Sequence, residues 1–203
     1  RSCRSVTKVA SPGRSPTALI AAARTVARAL ARDAYRRPPT EAELDVLVGV
    51  FDLGRDHHLA YPEALGLMLK AVLVSPQFLF RIERDHVEPG PKPVNDHELA
   101  TRLAYFLWNA PPDAELRALA DAGKLQDDAT LRAQLKRLLA DRKSASFLTQ
   151  FTEQWLGTKA VGDTVPASPE SVKDTYNKDL GADMRKEALL LMEHLLKDDL
   201  SIV

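Results

Sequence analysis

Residues Asp96 to Trp108, DHELATRLAYFLW, decide how this chain folds. Placed on a helix, Glu98, Thr101, Arg102 and Tyr105 fall on one side at spacings of three and four. Leu99, Ala100, Leu103, Ala104, Phe106, Leu107 and Trp108 take roughly the other half of the circumference. A helix apolar over that much of its girth must be covered by more than one neighbour. It is therefore expected at the centre of a bundle, with Phe106 and Trp108 sealed between helices. Asn95 and Glu98 stand at capping-box spacing, and Asp96 complements the positive end of the helix dipole. Pro111-Pro112 ends the element.

Downstream, Asp113 to Ala122 reads as a short helix with Leu116 and Leu119 inward and Gly123 as its stop. Asp128 to Ala140 carries Leu131, Leu135, Leu138 and Leu139, and Lys143 to Leu156 carries Phe147, Leu148, Phe151 and Trp155 on one side. Gly157 to Val172 is irregular, punctuated by Pro166 and Pro169. The last helix, about Leu180 to Lys197, groups Met184, Ala188, Leu191, Met192 and Leu195. Its run Ala188 to Met192 wraps wider than one face, which predicts a neighbouring chain or a further segment against residues 180–197.

Upstream, Thr17 can cap a helix running to about Arg36, with Leu19, Ala23, Val26, Ala27, Leu30 and Ala34 as its core stripe. Pro38-Pro39 stops it, and Thr40 with Glu43 forms a second capping box. The next helix runs to about Gly54 with Leu44, Leu47, Val48 and Phe51 inward. A third, about Pro62 to Val74, places Leu65, Met68, Leu69, Val72 and Leu73 inward. Ser75-Pro76 restarts a short helical piece whose bulk is Phe78, Leu79, Phe80 and Ile82. Strand-like alternation is absent. The expected fold is all-α: an irregular bundle of about eight helices in two packed modules, residues 17–87 and 95–203. An extended lead-in over 1–16 and a Pro-rich linker over 88–94 separate and precede them, and the second module is expected to be truncated at its C-terminal end.

The chain has 203 residues, 45% hydrophobic and 28% charged, with formal net charge +0. That suits one ordinary domain or two small ones and argues for no charged partner of the whole. No apolar run approaches the roughly 20 residues that span a bilayer. A lone Cys3 permits neither an internal disulfide nor a thiolate metal cage. The chain opens on Arg1 and nothing before Thr17 resembles a signal peptide, a pattern expected of a fragment or processed product.

Candidate chemistry is sparse. Arg24, Arg28, Arg32 and Arg36 recur every four residues, and residues 1–37 hold nine basic residues against Asp33 alone. Such a face can grip phosphates or an acidic polysaccharide, or it can pair with Glu41, Glu43, Asp45, Asp52 and Asp56 of the next helix, or be solvated. No aromatics are interleaved for base stacking, so nucleic acid is not an expected partner. His57-His58, with Asp56 beside them, are the one candidate metal pair, weighed against a plain polar turn because zinc needs three or four donors. His97 between Asp96 and Glu98 superficially suggests an acid/base cluster, but acids at a helix start serve capping. Trp108, Trp155, Tyr105 and Phe151 can line a pocket or be core. Phosphate loops, nucleophile elbows, His-Glu-x-x-His and haem-attachment motifs do not occur, so no catalytic, cofactor-binding or metal residue is assigned.

Two groups of motifs carry a family resemblance. Ala34-Tyr35-Arg36-Arg37-Pro38 and Leu73-Val74-Ser75-Pro76-Gln77-Phe78-Leu79-Phe80-Arg81-Ile82-Glu83 resemble one bacterial domain of unknown function. Glu98 through Trp108, Pro112-Asp113-Ala114-Glu115-Leu116, Gly123-Lys124-Leu125 and Gln154-Trp155-Leu156 resemble its usual successor. Both belong to large secreted proteins of planctomycetes, verrucomicrobia and myxobacteria, often led by a cytochrome-c-like domain. The resemblance covers nearly all of residues 20–203. It implies a periplasmic or extracellular location and electron transfer by the whole protein, with haem c elsewhere in it and no cofactor in this stretch. The haem segment and the usual continuation after Val203 are missing here, and Cys3 resembles a family cysteine whose pairing stays open.

Among the motif residues, Arg36, Arg37, Arg81 and Arg102 are least explained by packing, and one or more is expected in a buried or interface ion pair. The expected function is a helical scaffold or interaction region partnered by other domains of the same polypeptide or by a complex. Part of the substrate pocket of an extracytoplasmic oxidoreductase acting on a polymer is the enzymatic alternative. Anionic-polymer binding through the first-helix arginines is the third.

Overall fold

The computed structural model describes residues 15–83, 90, 94–161 and 178–197. Among these there are nine α-helices and no strand, so the fold is all-α. The helices are α1 (Pro16–Tyr35), α2 (Glu41–Asp56), α3 (Tyr61–Val74), α4 (Pro76–Leu79), α5 (Asp96–Trp108), α6 (Ala114–Asp121), α7 (Asp128–Ala140), α8 (Ala145–Leu156) and α9 (Lys178–Lys197). Short 3-10 turns at Arg142–Ser144 and Thr158–Ala160 flank α8. The chain divides into two compact units, Arg1–Val94 and Asn95–Val203. Most of the expected lead-in, the linker 88–94 apart from Gly90 and Val94, most of the irregular stretch before α9, and Cys3 lie outside the described residues.

In the first unit, α1 begins at Pro16 and is capped by the Ser15 hydroxyl, which accepts from the Ala18 N–H, so Thr17 is not the cap. Its innermost stripe is narrower than expected. Ala23, Ala27 and Ala31 are fully buried at spacings of four, while Val26, Leu30 and Ala34 sit at the margin. Three alanines along the middle of that stripe let α1 approach α2 and α3 closely, with Tyr35 buried at its end, and those helices supply the bulk through Leu44, Leu47, Phe51, Met68 and Val72. Phe51 meets Tyr61 edge to face at 5.4 Å. Leu69 and Leu73 were expected inward, yet both are exposed. The buried row of α3 is Ala64, Met68 and Val72, and residues one position on turn away from it. Phe78, Leu79, Phe80 and Ile82 are also exposed, and α4 buries none of its residues.

Two glycines of α2 differ in what surrounds them. A Cβ at Gly54 would meet the Ala64 Cβ at 3.2 Å and its Cα at 3.3 Å, whereas nothing lies within 4 Å at Gly49. Gly54→Ala is expected to destabilise by about 1 kcal/mol, because α3 must move off α2. Gly49→Ala is expected to stabilise by about 0.5–1 kcal/mol through helix propensity alone. Urea midpoints of the two variants check the opposite signs.

In the second unit α5 is the hub, packed on α6, α7 and α8. Its buried residues are Ala100, Ala104, Leu107 and Trp108, joined by Leu116 and Ala120 of α6, Leu125, and Leu138 of α7. Both bonds of its capping box are made: the Asn95 side chain accepts from the Glu98 N–H at 2.9 Å and Glu98 accepts from the Asn95 N–H at 2.8 Å. Asp96 accepts from the Leu125 N–H at 2.7 Å and so ties the loop after α6 to the start of α5. Trp108 is sealed, but Phe106 is 64% exposed, against expectation. Residues two apart on a helix point about 200° away from each other, so a core that closes on Trp108 leaves Phe106 outside. Leu139 of α7 and Met184 and Leu191 of α9 are likewise exposed, while Gln134 and Met192 are buried.

Candidate functional site

The first-helix arginines do not act as one face. Arg24 donates to Glu41 at 2.6 Å and Asp45 at 2.7 Å, and Arg28 donates to Glu41 at 3.0 Å. These are exposed pairs between α1 and α2, the arrangement in which the stripe meets the acids of the next helix. The hydrogen bond from Arg24, then that from Arg28, holds the Glu41 carboxyl below its ordinary range. Arg32 is half-buried on the same helix.

Arg36 departs from the stripe. It follows the last residue of α1 with φ of 60°, a left-handed turn uncommon for residues with a Cβ. That turn carries its side chain inward, to 8% exposure. The guanidinium donates to the carbonyls of Gln77 and Phe80, each at 2.8 Å, and to that of Phe78 at 3.4 Å. These carbonyls lie at the C-terminal end of α4, where helix carbonyls have no intrahelical partner and the dipole favours a cation. The left-handed turn was the missing signal: spacing of four extrapolates a helix that has already ended.

Of the other motif arginines, Arg37 forms a forked pair with Glu43, at 2.7 Å and 2.9 Å, and Glu43 also accepts from the Thr40 N–H at 2.8 Å. Arg81 and Arg102 lie at the surface. His57 and His58 are exposed in the turn after α2, with His58 at φ of 61°. No group of three His, Cys, Asp or Glu able to hold a metal occurs among the described residues. His97 stands 3.7 Å from Asp121, and His194 is exposed on α9, while His86 is outside the described residues.

The densest polar cluster surrounds Trp108. Arg137 donates to Asp113 at 2.8 Å and 3.2 Å and to Gln134 at 2.8 Å, and Gln134 donates to Glu115 at 2.7 Å. The Arg137 guanidinium lies 5.6 Å from the Trp108 ring centre and the Lys143 ammonium 4.4 Å from it. Each charged group here is turned onto a neighbour or onto the indole, so the cluster locks α6 and α7 to the end of α5. Outside it runs an aromatic ladder: Phe106 to Phe147 at 4.9 Å, Phe147 to Phe151 at 5.7 Å, Phe151 to Trp155 at 5.6 Å. Its α8 members recur every four residues along one ridge. Phe151 and Trp155, read as either pocket lining or core, are exposed on this ridge. Glu153 is the sole charge in α8.

Two of the depressed carboxyls, the partly buried Glu43 and Asp113, set an acid limit. Arg37's hydrogen bond, opposed by burial and helped by the Thr40 N–H, holds Glu43 below its usual range. At Asp113 burial pushes upward, but Arg137, the Leu116 N–H and Lys143 together outweigh it and the carboxyl is lowered. A carboxyl whose folded pKa is depressed contributes stability above its unfolded value and loses it as pH falls through the folded one. Urea midpoints are therefore expected to be level from about pH 5 to 8 and to decline below about pH 4. A Glu43→Gln, Asp113→Asn double variant should show a shallower acid limb; an unchanged limb contradicts the assignment.

Fold and bonds together define an all-α protein of two helical units whose described ionisable clusters hold helices to one another. Residues 94–203 match the model of PSD4, a protein family of unknown function (DUF1592), and residues 22–83 match that of PSD5, a second one (DUF1595). The first match takes in more than half of the chain, which belongs to the DUF1592 family and carries a DUF1595 region ahead of it. No characterised protein and no solved structure matches it. No helix among the described residues is long and apolar enough to cross a membrane.

Proposed function

We propose that this chain is a helical scaffold and interaction region of a larger bacterial protein that works outside the cytoplasm, with haem c carried by another domain of that protein. The observation that carries the reading is the exposed aromatic ladder of α5 and α8, whose α8 stretch holds one charge, Glu153. Interface cores are enriched in aromatics and depleted of charge, and large apolar patches are rarely left to solvent. The Asp113–Arg137 cluster, where an acid/base site would be sought, closes on Trp108 instead.

Hydrogen exchange tests this by comparing the 203-residue chain with the protein made from its whole reading frame. Amides of residues 146–156 are expected to exchange at least about tenfold more slowly in the larger protein, as burial at an interface raises opening free energies. Equal exchange overturns the interaction reading. Recovery of the protein solely from the cytosol overturns the location.

A further inference from the structure

We draw no further inference here: the strongest candidate, the exposed apolar surface patch at the end of α3 and on α4, from Leu69 to Leu79, carries none, because nothing in the structure shows what covers it.

Discussion

Trp108→Ala is expected to destabilise the second unit by about 3–5 kcal/mol, the range for removing a large buried aromatic. Trp108 is 4% exposed and stands where α5, α6 and α7 converge, packed with Leu116 and Leu138. Its indole N–H donates to the Leu138 carbonyl at 2.9 Å, near the end of α7 where carbonyls lack helical partners. Its ring also receives Arg137 and Lys143, so truncation leaves two cations facing a void. Trp108→Phe separates these contributions: most apolar volume stays, the N–H is lost, and a cost of about 1–2 kcal/mol follows from the unpaired carbonyl. Urea unfolding monitored by circular dichroism measures both. Trp155, exposed on α8, should keep its emission maximum in either variant. A midpoint for Trp108→Ala equal to the parent's would show that Trp108 does not hold these helices together.

Arg36→Met should release α4 and destabilise the first unit by about 2–3 kcal/mol. Methionine can fill the apolar part of the space, but three carbonyls lose a shared charged donor, and a hydrogen bond to a charged group contributes about 1.5–3 kcal/mol net of its exchange with water. Arg36→Lys keeps the cation without the planar fork and is expected to recover only part of the loss. Hydrogen exchange reads the local effect. The N–H groups of Phe78 and Leu79 donate to Ser75, and that of Phe80 to Pro76 at 2.8 Å. These three amides should exchange at least about tenfold faster in Arg36→Met, while those in the middle of α2 change little. Unaltered exchange at all three would mean that the arginine is not what fixes α4.

Helix starts were the most legible feature, because capping is chemistry between residues three apart. Asn95 with Glu98 and Thr40 with Glu43 form the two boxes their spacing predicts, with all four bonds made. The exception at α1 has the same logic, since Ser15 before Pro16 is as good a cap as Thr17. Inward faces were legible where two neighbours flank a helix, as for Leu44, Leu47, Val48 and Phe51 of α2. They were misread where coverage is one-sided. Leu69, Leu73, Phe106, Leu139, Phe151 and Trp155 satisfy the same apolar periodicity as buried residues, yet each stays at least about 40% exposed. Periodicity states which residues share a face, and only the neighbours state whether that face is covered.

The arginines show the same division. Sequence alone determined that α1 carries cations every four residues and that an acidic helix follows, because composition and helical period are local properties. Tertiary structure decided that Arg24 and Arg28 meet Glu41, that Arg37 forks onto Glu43, and that Arg36 turns inward to hold a segment 41 residues away. A single left-handed residue made that last difference, and its partners are backbone carbonyls, which every residue possesses and no sequence pattern distinguishes.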